Sequence, residues 1–70
     1  MSQIKQFSLN GELYLINLDI TILDLINYFN YNDSLLVLEY NNTICNKKNW
    51  GDTRVLNEDT IEIVTIVGGG

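Results

Sequence analysis

The sequence predicts an α+β fold, in which a mixed sheet of about five strands packs on one helix. Three observations support this. The chain has only 70 residues, which is enough for one small domain. Its apolar residues alternate near both ends of the chain and recur at helical spacing between them. Asn-Gly and Asn-Asn pairs separate strand-like segments. We therefore predict a folded domain at residues 1–67 and a flexible glycine tail at 68–70.

The first half of the chain predicts a hairpin followed by a helix. Residues 4–9 and 12–18 are strand-like, and Asn10-Gly11 between them is the strongest short hairpin signal, because both turn positions need positive φ. Thr21 is a candidate helix N-cap, and Asp24 three residues later completes a capping box with Asp in place of Glu. An apolar stripe at helical spacing follows, made of Ile22, Leu25, Ile26 and Phe29.

The middle of the chain predicts a second hairpin. Residues 30–34 are turn-forming and end the helix. Residues 35–40 form an apolar run, which predicts a strand largely buried on both faces. Asn41-Asn42 is a hairpin-type turn that leads to a short strand at 43–45. Residues 46–54 are predicted to be an irregular connection.

The last strand is predicted at residues 60–67, after a turn at 57–59. Its residues divide by alternation into one face with Ile61, Ile63, Thr65 and Val67, and another with Glu62, Val64 and Ile66. The order is thus strand, strand, helix, strand, short strand, strand. One amphipathic helix can bury its stripe only against one face of the sheet, and this arrangement is a β-grasp.

Charge and composition exclude several functions. The net charge is −5, whereas a nucleic-acid partner requires a clustered basic surface, so we expect no nucleic-acid binding. An acidic surface instead suits a basic protein partner. No apolar stretch is long enough for a membrane span, and no signal peptide is recognisable, so we expect no membrane partner. The missing Ala and Pro, with abundant Asn and Ile, indicate an AT-rich genome, and we expect the cytoplasm or the plastid stroma.

The chain lacks the residues of common catalytic sites. Without His, triads and Cys/His pairs are impossible, and one Cys cannot build a zinc site. No phosphate-binding glycine motif occurs. We therefore predict no catalytic residue, no metal site and no cofactor bound by the chain itself. Four carboxylates close in sequence are expected in turns or on a solvent face rather than as an acid/base pair: Asp52, Glu58, Asp59 and Glu62.

Two single residues have alternative interpretations. Cys45, the only cysteine, is either a persulfide carrier or a small buried hydrophobe, and its apolar context favours the structural role. Trp50 either plugs the open end of the core or serves as an exposed contact anchor. We favour packing.

The tail offers a chemical group. Gly68-Gly69-Gly70 directly follows the last strand, and its simplest explanations are a flexible end or a cloning remnant. The alternative is that the terminal carboxylate reacts, since glycine has no Cβ and can thread a narrow channel in another enzyme. Val64 and Ile66, beside the tail on one face, are possible docking residues for that enzyme.

The chain resembles ThiS, the family of ubiquitin-like sulfur carriers of thiamine biosynthesis. The resemblance rests on residues 10–12, 21–25 and 37–41, on Trp50 and Thr53, and most specifically on residues 59–70. Asn42 and Glu58 stand where the family tends to have Gly, and Glu58 implies a different local turn. Asn46-Lys47 replaces a Pro-Arg pair, and Cys45 replaces an aliphatic residue.

The resemblance implies a carrier that is a co-substrate rather than an enzyme. A ThiF-type adenylyltransferase would use Mg-ATP, bound by that partner, to convert the Gly70 carboxylate to an acyl-adenylate. A persulfide from a cysteine desulfurase or a sulfurtransferase would replace AMP and leave a thiocarboxylate. Thiazole synthase of the ThiG type would receive the sulfur. The alternatives are a MoaD-like small subunit of molybdopterin synthase, a ubiquitin-like protein modifier and a plain interaction module.

Overall fold

A computed structural model describes residues 3–31 and 35–65, and residues 1, 2, 32–34 and 66–70 lie outside the description. The described part contains five strands, one α-helix and a 3-10 helix. In chain order they are β1 (Lys5–Leu9), β2 (Glu12–Ile16), α1 (Ile22–Tyr28), β3 (Leu36–Tyr40), β4 (Thr43–Ile44), the 3-10 helix (Lys47–Asp52) and β5 (Thr60–Thr65).

The strands form one mixed sheet in the order β2-β1-β5-β3-β4. The last strand, β5, lies in the middle, parallel to β1 and antiparallel to β3. The other neighbours are antiparallel hairpins. Since α1 packs on this sheet, the predicted α+β fold with a β-grasp arrangement is confirmed.

Both predicted hairpin turns are present. Asn10 and Gly11 have φ values of 51° and 85°, and Asn41 and Asn42 have 52° and 70°. All four lie in the left-handed region, which Asn and Gly tolerate best and which matches the twist of a two-residue hairpin. The local chemistry of these pairs thus fixes the register of both hairpins.

The helix begins with the predicted capping box. Thr21 Oγ1 accepts a hydrogen bond from the Asp24 amide at 3.1 Å, and Asp24 Oδ2 accepts one from the Thr21 amide at 2.9 Å. Asn30, with φ 59°, follows the last turn in the left-handed conformation that commonly ends a helix. Of the predicted stripe, Ile22, Leu25 and Ile26 are buried, and Phe29 is half-buried.

The core lies between the helix and one face of the sheet. The stripe of α1 packs there with residues of β1, β3 and β5 and of the connection before β5, namely Phe7, Leu9, Leu38, Val55, Ile61 and Ile63. Trp50 is 2% exposed, and its Nε1 donates to the Cys45 carbonyl at 2.9 Å, so the packing interpretation is correct. The segment that carries Trp50 is a 3-10 helix rather than an irregular connection.

Several predicted strands differ from the structure. β1, β3 and β4 are each one residue shorter than predicted, and β2 and β3 differ further. The central strand β3 is not buried on both faces: Leu38 is buried, but Glu39 is exposed, because the helix covers only one side of the sheet. β2 ends at Ile16 rather than at residue 18, and Leu18 is an exposed loop residue. Within residues 3–31 and 35–65, no helix has the length and apolarity that a membrane crossing requires.

Candidate functional site

The strand that leads to the tail is fastened by both hairpin turns. Asn10 Oδ1 accepts a hydrogen bond from the Ile63 amide, and Asn41 Oδ1 accepts one from the Thr60 amide, each at 2.7 Å. The backbone amides of the two asparagines donate in return, to the carbonyls of Ile61 and Thr60 at 2.9 and 2.8 Å. β5 is therefore held along its length by side chains as well as by its neighbouring strands.

A buried carboxylate anchors the start of β5. Asp59 is 6% exposed and accepts hydrogen bonds from the Tyr40 hydroxyl at 2.5 Å, from Asn41 Nδ2 at 3.1 Å and from the Leu56 amide at 2.6 Å. The predicted turn at residues 57–59 did not indicate that the Asp59 side chain would be buried. Burial, together with the neighbouring Asp59 carboxylate, raises the pKa of Tyr40 well above its usual value. The group is a structural anchor, because its acceptor positions are occupied by donors of the fold.

The other three carboxylates do not join Asp59 in a reactive site. Glu58 is in a turn with φ 69°, Asp52 ends the 3-10 helix, and Glu62 is exposed on β5. Glu58 therefore adopts the left-handed conformation for which glycine is suited, and a difference from the turn of the family stays a prediction. Among the residues that the structure describes, no group of three His, Cys, Asp or Glu side chains could hold a metal ion.

Cys45 lies half-buried beside the core. Its Sγ is 3.8 Å from Thr53 Oγ1 and 4.0 Å from the Asn46 carbonyl oxygen. Both neighbours are neutral oxygen atoms, whereas a reactive thiol is usually activated by a nearby cation. This setting fits the structural role better than a persulfide role.

The sheet exposes a second face, away from the helix, which we call the outer face: Val37, Glu39, Ile44, Glu62 and Val64. Val37 lies directly across from Val64, Glu39 lies across from Glu62, and Ile44 also pairs with Glu39. Val64 is 61% exposed. The outer face therefore carries an apolar pair at the end of β5 from which the tail continues, and an acidic pair next to it.

Our sequence reasoning found Val64 and Glu62 but missed Val37, Glu39 and Ile44 as their neighbours. The alternation within residues 35–40 carried part of this signal, and only the antiparallel pairing of β3 with β5 brings the two strands together. The other predicted site residues, Ile66, Gly68, Gly69 and Gly70, lie outside the described residues. Their roles remain predictions.

Comparisons with known proteins agree with this architecture. The sequence matches the ThiS family over residues 7–70. It is 59% identical over 70 residues to a protein called ycf40 from Trieres chinensis, covering all of this chain and 96% of the relative. It is 32% identical over 62 residues to a ycf40 protein from Porphyra purpurea, covering 89% and 87% of the two chains.

Among solved structures, the fold resembles the crystal structure of the thiamine biosynthesis protein ThiS from Geobacter metallireducens. The TM-score is 0.79 at 18% identity, covering 93% of this chain and 99% of that one. This likeness concerns the fold, whereas the family match extends over the strand and the tail that follows it. The chain therefore belongs to the ThiS family of ubiquitin-like sulfur carriers.

Proposed function

We propose that the protein carries sulfur for thiazole formation in thiamine biosynthesis, as a thiocarboxylate at Gly70. One observation carries the proposal: the family match continues through the glycine tail to residue 70. The described part of the chain fits a carrier, since asparagine side chains of both hairpin turns hold the strand that precedes the tail.

The first step makes the carboxylate electrophilic. A carboxylate oxygen of Gly70 attacks the α-phosphorus of ATP, pyrophosphate leaves, and an acyl-adenylate forms. A free carboxylate is a poor electrophile, whereas AMP is a good leaving group. The adenylating enzyme, of the ThiF type, supplies the site for Mg-ATP.

The second step installs sulfur. The terminal sulfur of a persulfide, formed on a protein by a cysteine desulfurase or a sulfurtransferase, attacks the Gly70 carbonyl, and AMP leaves. A second thiol then attacks the enzyme-side sulfur of the acyl disulfide. This step forms a new disulfide and releases the Gly70 thiocarboxylate, which donates its sulfur to a thiazole synthase of the ThiG type.

The outer face is proposed as the docking surface for the adenylating enzyme. Ordering three glycines in a channel costs about 3–6 kcal/mol at 1–2 kcal/mol per residue. Burying the exposed part of Val64 and its neighbour Val37 returns about 1–3 kcal/mol, so the valine pair alone is insufficient. Ile44, which is 62% exposed, enlarges the apolar area, and the Glu39–Glu62 pair attracts basic groups on the partner. Ile66, which the sequence alternation assigns to the same face as Val64, remains a predicted docking residue.

Intact-mass spectrometry tests the proposal. The full chain is incubated with Mg-ATP, a ThiF-type enzyme and a persulfide donor. We expect a mass increase equal to the replacement of one oxygen by one sulfur, located on the C-terminal peptide. The increase should require ATP and should disappear when one residue is added after Gly70, because the reactive carboxylate is then displaced.

Two results would contradict the proposal. A mass increase located on Cys45, and lost in Cys45→Ser, would assign the sulfur to the thiol. Stable co-purification with a molybdopterin-synthase large subunit, without sulfur transfer to thiazole synthase, would favour the MoaD-like function. The amino-acid composition indicates an AT-rich genome, and from this we propose that the protein lies in the plastid stroma or the cytoplasm. Cell fractionation tests this compartment.

A further inference from the structure

A groove separate from the outer face runs between α1 and the edge strand β2. Its volume is about 480 Å³, and its lining is almost entirely apolar, including Tyr14, Ile16, Leu18, Leu25, Tyr28 and Phe29. Since β2 is the first strand of the sheet and β1 separates it from β5, the groove is distant in the sheet order from the strand that carries the tail. It also lies on the helix side of the sheet.

The groove is preformed and its rim is exposed. The Tyr14 ring stacks on Phe7 at a centroid distance of 5.6 Å and meets Phe29 edge to face at 5.5 Å, which fixes the floor. At the rim, Leu18 is 66% exposed and Tyr28 is 81% exposed. Large apolar side chains gathered around an open groove are typical of an interaction site.

The edge of β2 offers backbone groups to the same groove. The Leu9–Glu12 pair closes the two-residue turn and is hydrogen-bonded. From there along the hairpin, pairs that exchange backbone hydrogen bonds alternate with pairs that do not, and Leu13 and Leu15 belong to the second kind. The N–H and C=O groups of Leu13 and Leu15 consequently point away from β1, toward the open edge. Both residues are also about two-thirds exposed (66% and 67%). An added strand would find four backbone partners there.

Charge selects the kind of strand that fits. Asp24 is among the described residues that line the groove, which include no Lys or Arg, and its carboxylate accepts the Thr21 amide in the capping box. Glu12, on β2, accepts a hydrogen bond from the hydroxyl of Tyr14, which also lines the groove. A third carboxylate, Asp19, is already paired with Lys5 at 2.7 Å. Two copies paired along β2 would each bring a net charge of −5, which disfavours self-pairing. A segment with basic ends is complementary.

We propose that the β2 edge and the groove beside it bind an extended segment of a partner protein. The segment adds a strand to the sheet, places alternate aliphatic side chains in the groove, and is flanked by Lys or Arg. This mode of recognition takes affinity from backbone hydrogen bonds and specificity from alternate side-chain pockets. The proposal does not depend on the chemistry proposed for Gly70.

A labelled synthetic peptide tests the site on the full chain. The probe is Lys-Arg-Ile-Thr-Val-Thr-Ile-Thr-Lys, with affinity measured by fluorescence anisotropy and contacts mapped by amide NMR shifts. We expect shifts in β2 and α1, and slowed hydrogen exchange at the Leu13 and Leu15 amides. Replacing the basic residues of the peptide by Glu should weaken binding by about tenfold or more.

Backbone methylation separates strand addition from simple apolar contact. One peptide is N-methylated at its aliphatic residues and another at its threonines. In an added strand only one of these sets of amides faces β2, so one peptide should lose binding and the other should keep it. Equal effects of the two peptides, or shifts confined to the outer face, would overturn the proposal.

A matched pair of variants controls for exposed leucines in general. Leu18→Ala should reduce affinity by about tenfold, because Leu18 lines the groove. Leu56→Ala should not change it, since Leu56 is similarly exposed (54%) but outside the groove. Equal affinities of the two variants would contradict the site. A stable dimer in sedimentation, disrupted by Leu15→Lys, would instead assign the edge to a second copy.

Discussion

At the scale of single residues, Glu58 is held in a conformation that suits glycine. Its φ is 69°, and its amide is fixed by a hydrogen bond to the Gln6 carbonyl. A left-handed conformation costs a residue with a Cβ about 1–2 kcal/mol. Substitution by glycine removes this cost, but part of the gain is lost because glycine has more conformational freedom in the unfolded chain. The tertiary structure therefore holds Glu58 in a backbone conformation that this residue disfavours by itself.

We expect Glu58→Gly to raise the free energy of unfolding by about 0.5–1 kcal/mol, measured by urea denaturation. Glu58→Ala is the matched control, because it removes the same charge but keeps the Cβ. The alanine variant should gain nothing. Equal stabilisation in both would mean that charge, and not backbone conformation, is responsible.

Tyr40 makes the second residue-level prediction. Tyr40→Phe removes one of three donors to the buried Asp59 and should lower the free energy of unfolding by about 1.5–3 kcal/mol. Tyr28→Phe is the control, since the Tyr28 side chain is 81% exposed and should change stability little.

The same hydroxyl predicts a dependence on alkaline pH. Burial and Asp59 raise the pKa of Tyr40 in the folded state, so its stabilising contribution is complete below the unfolded pKa of about 10 and is lost as the pH rises above it. The difference in unfolding free energy between wild type and Tyr40→Phe should therefore shrink above about pH 10. A difference that grows with pH would contradict this assignment.

At the scale of elements, the capping box supports a very short helix. α1 has only seven residues, and a helix of this length is not stable by itself. Thr21→Ala removes the side-chain acceptor for the Asp24 amide and should cost about 1 kcal/mol. Asn27→Ala, exposed on the same helix and away from the cap, should cost nothing. Urea denaturation followed by circular dichroism compares the two.

The fastening of β5 gives another element-level prediction. Asn10→Gly keeps the left-handed turn but removes the acceptor for the Ile63 amide, so we expect a loss of about 0.5–1.5 kcal/mol and faster hydrogen exchange at that amide. Asn10→Asp retains an acceptor and should preserve slow exchange. In Asn42→Gly, which changes a left-handed turn residue without touching β5, exchange of the Ile63 amide should be unchanged.

At the scale of the whole molecule, the outer face carries a repulsive pair of carboxylates on the surface that we propose for docking. Glu39 and Glu62 lie directly opposite each other, and like charges in this position destabilise a sheet. The net charge of −5 adds to the repulsion. A basic partner would relieve both, which fits the proposed docking of an adenylating enzyme on this face.

We expect Glu62→Lys to stabilise the free chain by a few tenths of a kcal/mol, because it turns a repulsive cross-strand pair into an attractive one. The same change should slow association with a ThiF-type enzyme and reduce the salt dependence of the rate, measured by stopped-flow fluorescence. Glu58→Lys makes the same charge change in the turn before β5 and should affect association less. Equal slowing by both variants would indicate general charge steering rather than docking on the outer face.

Much of this fold was determined by local chemistry. Asn10-Gly11 and Asn41-Asn42 favour left-handed turns wherever they occur, and Thr21 with Asp24 caps a helix through atoms three residues apart. These signals, with the two periods of apolar residues, were enough to predict the element order and the β-grasp. Each of these signals depends only on residues close together in the chain, so it can be recognised from the sequence alone.

The tertiary structure decided what depends on distant partners. Asp59 can be buried because Tyr40, at the end of β3, and Asn41, in the turn after it, bring donors to its carboxylate. The outer face exists because β3 pairs with β5, and the groove exists because β2 is an edge strand beside α1. The sequence by itself determined the fold class and the glycine tail of a carrier. Which surfaces are free for partners was settled only by packing, because exposure depends on contacts between residues that are far apart in the chain.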